Sequence, residues 1–199
     1  MEILLGTNNP DKVREIRRFL QDLPVKIVTP QDLGLKAEIP ETGKTFEENA
    51  RLKARFWWEK TKKWVLADDS GLEVDILGGA PGVLSSRYAG EDATYEDNWK
   101  KLLKELKNVP LEKRKARFRC VMILVSPEGK EFRVEGKVEG YIIEEPRGEK
   151  GFGYDPVFYY PPRRRTFAEM SLEEKNSLSH RGEALREVKK LILSLLPRD

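Results

Sequence analysis

The chain has 199 residues, 39% hydrophobic and 36% charged, and its 37 basic and 34 acidic residues leave a net charge of +3. That length suits one domain or two close-packed lobes with a real core, and the hydrophobic content argues against disorder. No apolar run reaches the roughly 18 residues of a membrane helix, the basic excess is too diffuse for a nucleic-acid binder, and the single cysteine, Cys120, excludes an intramolecular disulfide framework and a Cys-rich zinc site.

The first residues, Met1 to Leu5, read as a buried strand without the basic flank and cleavage site of a signal peptide. A cytoplasmic location, with no nucleic-acid or membrane partner, is the expectation. The charge density and the sparse glutamine, found only at Gln21 and Gln31, point to a thermophilic source.

Chain order gives an α/β pattern. A strand over 2–5 runs into Gly6-Thr7-Asn8-Asn9-Pro10, and a helix begins near Asp11 with Val13, Ile16, Phe19, Leu20 and Leu23 at helical spacing. Val25 to Val28 reads as a second strand, which completes a strand–helix–strand opening. Thr45 and Glu48 form a capping-box pattern for a helix reaching about Lys60. Trp64 to Ala67 is a short strand ending at Asp68-Asp69-Ser70-Gly71, and Leu72 to Ile76 is another. Residues 78–82 form a Gly- and Pro-rich loop, and 94–106 are helical. Phe118 to Val125 is a β-branched run, while 132–143 alternates as a long exposed strand pair. After a strand at 157–160, one last helix covers 172–196. The pattern is a mixed sheet with flanking helices, and its second half suits a separate lobe, with a cleft between lobes as a place for a ligand.

Four segments carry chemistry. Thr7 to Lys12 is a small polar turn at a helix N-terminus, where backbone amides and the helix dipole attract anions. Lys12 stands where the dipole favours an acid, which suits an external phosphate; a capped turn with a solvated lysine suits the segment equally. Gly43-Lys44-Thr45 looks like the end of a P-loop, but Glu38 occupies the place of the required glycine, so that motif is rejected. Asp68 and Asp69 follow an apolar strand, and alternation sends them to opposite sides, so one of them faces a site. Carboxylates suit Mg²⁺, and Glu41 is a candidate second ligand; an ordinary Asp β-turn is the competing reading. Phe152 and Tyr154, between glycines, offer flat faces to a base, with Asp155 as acceptor, or belong to a bulge with core aromatics. Lys175, His180 and Arg181 bring hydrogen-bond donors into one short stretch, although a lone histidine is more often a packing residue.

Together these segments resemble the inosine triphosphate pyrophosphatase family. The carriers are 7–12, Glu41-Thr42-Gly43 with Thr45-Phe46 and Glu48-Asn49-Ala50, 67–72, 78–83, 151–156 and Ser179-His180-Arg181-Gly182, in that family's order over nearly the whole chain. The resemblance implies an elongated two-lobed α/β fold, residues 1–199 as one domain around a central cleft, and a homodimer. It implies Mg²⁺-dependent hydrolysis of ITP, dITP and XTP to monophosphate and pyrophosphate. Thr7, Asn8, Asn9, Pro10, Asp11 and Lys12 would hold the triphosphate, helped by Lys53. Glu41 and Asp69 would bind Mg²⁺, with Asp69 the proton acceptor and Asp68 close by. Ser70 would touch substrate. Phe152, Gly153, Tyr154 and Asp155 would line the base, and Lys175, His180 and Arg181 would read its 6-carbonyl edge. Two rivals stand beside this reading: a related pyrophosphatase preferring pyrimidine or modified nucleotides, and a non-enzymatic nucleotide-binding module.

Overall fold

A strand covered on both faces needs apolar side chains at both phases, and Ile3-Leu4-Leu5 supplies them. In the computed structural model, which describes residues 1–198, these residues form β1 (Glu2–Leu5). Helix α1 (Pro10–Leu20) follows, with Pro10 at its first turn and Asn9 as its cap. Strand β2 is Lys26–Val28. Helix α2 (Phe46–Thr61) starts after Thr45, whose side chain accepts from the Glu48 N–H. The return half of the expected capping box is shifted by one residue, because Glu48 Oε2 accepts from the Lys44 N–H at 2.7 Å.

Strand β3 corrects the sequence reading. It runs unbroken from Trp64 to Val74, so Asp68 and Asp69 lie inside a strand and not in a turn between two. Gly71 costs a strand some stability but does not end it. Helix α3 is Tyr95–Glu105, closed by a full capping box between Thr94 and Asp97. Strands β4 (Lys115–Val125), β5 (Glu131–Ile142), β6 (Phe158–Tyr160) and β7 (Arg165–Thr166) complete one sheet of order β2-β1-β3-β4-β5-β6-β7. β1 is parallel to β2 and β3, while β5–β6 and β6–β7 are antiparallel. The segment expected as an exposed strand pair is therefore the single strand β5, with neighbours on both sides. The expected final helix is two, α4 (Leu172–Leu178) and α5 (His180–Leu195). Ser179 separates them in an extended conformation (φ −76°, ψ 164°), which a helix interior does not permit.

The chain divides into two units. Residues 1–69, 120–136 and those from 181 onward make the first; 70–119 and 137–180 make the second. In the first, alternation sorts the sheet residues. Ile3, Leu5, Leu66, Met122 and Leu124 pack with Ile16 and Leu20 of α1 and Leu185, Val188 and Ile192 of α5. Leu4, Val65, Ala67, Ile123 and Val125 pack with Ala50, Ala54 and Trp57 of α2. Each fully covered Leu or Ile contributes about 1.5–3 kcal/mol, so both faces of this sheet segment are firmly held. The second unit has its own core of Leu72, Val74, Leu102, Phe118, Tyr154, Phe158 and Phe167, among others.

Candidate active site

The two-residue period of β3 decides where its acids go. Asp68 shares a phase with Leu66 and faces α1 and α5; Asp69 shares one with Val65 and Ala67 and faces α2. Lys12 of α1 reaches Asp68 at 3.2 Å, and Arg181 of α5 reaches it at 3.5 Å. Arg181 also holds Glu15 of α1 at 2.6 Å, and both of those side chains are buried. The Cys120 thiol of β4 donates to Asp68 at 3.8 Å. Burial alone would raise the Asp68 carboxyl, but Lys12, Arg181 and Lys53 outweigh it and hold it well below the usual range. Burial would lower the Arg181 guanidinium, and Glu15 with Asp68 reverses that. Burial, reinforced by Asp68, pushes the Cys120 thiol upward, so it stays protonated.

On the other face, Asn49 Nδ2 donates to Asp69 Oδ2 at 3.1 Å. Lys53, one turn further along α2, places its ammonium 4.0 Å from Asp69 Oδ1 and 3.2 Å from Glu41 Oε1. Burial pushes the Asp69 carboxyl up to about 6, against the pull of Lys53 and Lys12 and with the push of Glu41 and Asp68. Burial would lower Lys53, and Asp68, Asp69 and Glu41 together raise it.

Glu41 and Asp69 thus share one cation, the Lys53 ammonium. Their oxygen donors fit Mg²⁺, which takes one or two carboxylates and completes its shell with waters and substrate phosphates. Among the described residues no group of three or more His, Cys, Asp or Glu side chains could hold a metal.

The Thr7–Lys12 turn is more closed than its sequence suggested. Asn9 Oδ1 accepts from the Asp11 and Lys12 N–H groups at 2.9 and 3.3 Å, and the Asn9 N–H donates to Thr7 Oγ1 at 3.1 Å. With Pro10 lacking an N–H, the first-turn amides are satisfied internally. Asn8 Nδ2 donates to the Ala37 carbonyl, and Asp11 pairs with Arg14. Lys12 in the first turn is explained by Asp68, an internal acid.

In the second unit, Asp155 Oδ2 accepts from Lys175 Nζ at 2.6 Å and from the Phe152 N–H at 3.0 Å. A Cβ on Gly151 would lie 2.2 Å from that oxygen, and its φ of +71° also favours glycine. Gly153 has φ +59°. The Lys175 ammonium lies over the Phe152 ring at 4.5 Å. Tyr154 is in the core, its hydroxyl donating to the Ser85 carbonyl at 2.7 Å. His180 is buried and stacks on Phe118, centroids 4.7 Å apart. Ser70 is half-buried in β3.

The structure therefore groups Lys12, Glu41, Lys53 and Asp69 with Asp68 and Arg181 in the first unit, and Phe152 and Asp155 with Lys175 in the second. Arg181 turns to Glu15 and Asp68. Glu15 and Asn49 carried no role in the sequence reading. Each had a signal there: a polar residue at the buried phase of an amphipathic helix, beside Ile16 and Ala50 respectively.

The Ham1 family profile matches residues 3–191. The chain is 54% identical to a protein named dITP/XTP pyrophosphatase from Thermoanaerobacter pseudethanolicus, over 98% of both. A protein of the same name from Bacillus subtilis is 48% identical over 96% of both. Among solved structures, a HAM1 protein from Coxiella burnetii superposes with a TM-score of 0.89 at 42% identity, covering 98% of this chain and 99% of that one. The Staphylococcus aureus Ham1 protein gives 0.88 at 38% identity, covering 98% and 100%. With sequence, sheet and near-complete coverage in agreement, the chain belongs to the Ham1 family.

Proposed function

We propose that this protein is a Mg²⁺-dependent pyrophosphatase that hydrolyses ITP, dITP and XTP to the monophosphate and pyrophosphate, clearing the nucleotide pool of non-standard purines. The names of its full-length relatives support the substrate class. The observation that carries the chemistry is Asp69: a buried carboxylate raised to about 6, oriented by Asn49, and sharing Lys53 with Glu41.

In this reading Lys12 and Lys53 draw in the triphosphate, exchanging carboxylate partners for phosphate oxygens, and Thr7 to Asp11 shape the turn beside it. Glu41 and Asp69 would hold Mg²⁺, which would supply neutralisation of phosphate charge and polarisation of the reacting phosphoryl group. Water attacks the α-phosphorus; the new bond is water oxygen to phosphorus, and the bond broken is phosphorus to the bridging oxygen of the β-phosphate. Asp69, oriented by Asn49, takes the water's proton. An ionised carboxylate at neutral pH can accept that proton. Pyrophosphate leaves with its charge opposed by Lys12 and Lys53. Catalysis rests on positioning and charge neutralisation.

Phe152 and Asp155 serve the base, with Gly153 giving close approach and Tyr154 anchoring the segment from behind. Lys175 and His180 supply donors for a 6-carbonyl, while Arg181 stays engaged with Glu15 and Asp68. A donor left facing adenine's 6-amino group costs about 1–3 kcal/mol, roughly ten- to a hundredfold in selectivity. Ser70 touches substrate beside Asp69. The working protein is a homodimer in the cytoplasm of a thermophile, with no nucleic-acid or membrane partner.

The test is a substrate panel with product identification. ITP, dITP and XTP with Mg²⁺ should give monophosphate and pyrophosphate, with ATP and GTP much slower. Stepwise orthophosphate release would make it a phosphatase, preference for pyrimidine or modified nucleotides would favour the related pyrophosphatase, and tight binding without turnover would favour a binding module.

A further inference from the structure

Asn49 lies one helical turn before Lys53 on the inner face of α2 and is fully buried. Its amide works at both ends. Nδ2 donates to Asp69 Oδ2 at 3.1 Å, and Oδ1 accepts the Gly43 N–H at 2.7 Å. Gly43 is two residues after Glu41, so one side chain ties the acid on β3 to the loop that carries the other acid. The next residue is pinned as well, by the Lys44 N–H to Glu48 Oε2 bond at 2.7 Å. The loop approaches closely enough that a Cβ on Gly43 would lie 2.6 Å from Asn49 Oδ1 and 2.7 Å from Glu48 Cβ. A leucine of similar volume would fill the space but leave the Gly43 N–H and Asp69 Oδ2 without this partner.

We infer that Asn49 is a positioning residue that sets the orientation of Asp69 and the reach of Glu41 together, so that both carboxylates meet at one cation. The inference rests on the reading of those two acids as Mg²⁺ ligands. Both ends of the Asn49 amide are taken up by protein groups. The residue acts through the acids, as outer-shell partners of metal ligands do when their loss weakens metal binding by about 10- to 100-fold.

The experiment is titration calorimetry of Mg²⁺ alone into the nucleotide-free protein, with the Mg²⁺ concentration for half-maximal ITP turnover measured in parallel. Asn49→Ala removes the link from the helix, and Gly43→Ala pushes the loop off it. Ala50→Gly, on the same helix turn, loosens α2 without touching either acid. Both link variants should bind Mg²⁺ at least about tenfold more weakly, with the KM for ITP at saturating Mg²⁺ within about threefold of the unaltered chain. Ala50→Gly should lower stability and leave Mg²⁺ affinity unchanged. If Asn49→Ala does not fold, Gly43→Ala carries the test. Affinity within about twofold of the unaltered chain in the folded link variants, or an equal loss in Ala50→Gly, overturns the inference. Absence of Mg²⁺ binding and of Mg²⁺-dependent turnover in the unaltered chain overturns both the inference and the reading beneath it.

Discussion

Glu15 and Arg181, separated by 166 positions in the chain, meet at 2.6 Å with both side chains buried. The pair joins α1 to the first turn of α5 and aims the guanidinium at Asp68. Removing one partner of such a pair leaves the other charge buried and under-compensated, at a cost of about 3 kcal/mol or more. Glu15→Ala should therefore lower unfolding stability at pH 7 by that amount in urea titration. A loss under about 1 kcal/mol, the scale of an exposed pair, would show that Asp68 alone suffices for Arg181.

Asp69→Asn separates catalysis from stability. Loss of the proton acceptor should reduce kcat for ITP by at least about 100-fold with the fold intact, and near-normal turnover would remove Asp69 from its role.

The same substitution should stabilise the metal-free protein at high pH. Asp69 is raised in the folded chain from 3.8 to about 6. Its protonation therefore favours folding, an effect complete below about 4 and lost as pH rises through 6. Asn is neutral throughout and keeps an acceptor for Asn49. In chelator the variant should match the unaltered chain near pH 4 and exceed it by roughly 2 kcal/mol at pH 8. Equal stability across that range would show that Lys53 fully compensates the ionised carboxylate.

Gly151→Ala should act on the base. The added methyl would collide with Asp155 Oδ2 and so disturb the seat of Lys175. Steady-state kinetics should show the KM for ITP rising about tenfold with kcat within about threefold. A fall in kcat at unchanged KM would place this segment in the chemical step.

Thermal unfolding checks the thermophilic reading. Arg117 bridges Asp75 and Glu139, and Arg51 and Arg55 share Glu131. Such networks matter more as temperature rises. The Tm should exceed about 60 °C, above most mesophile domains.

Much of the fold was legible because its signals are local. Thr45 and Thr94 mark helix starts, and the doubly apolar Ile3-Leu4-Leu5 marks a covered strand. The misses were set by distant partners. Asp68-Asp69-Ser70-Gly71 has turn composition, yet β4 pairing and cations from α1, α2 and α5 keep it extended. The stretch from Leu172 to Leu196 has no proline and its one glycine, Gly182, lies past the break, so composition did not mark the break at Ser179 that sets Arg181 at the first turn of α5. In the candidate site, residue types were readable but not their pairings. Asn9 capping its own turn, and Arg181 choosing Glu15, depend on geometry that spacing does not encode.

The interleaving of the two units constrains how this protein can be cut. Three stretches build one and two build the other, and the switch from the first to the second falls between Asp69 and Ser70, inside β3. No single scission frees either unit whole. A fragment ending at Asp69 keeps β1, α2 and the proposed base but loses β4, which carries Cys120, and α5, which carries Arg181. Truncation therefore cannot show what either unit does alone.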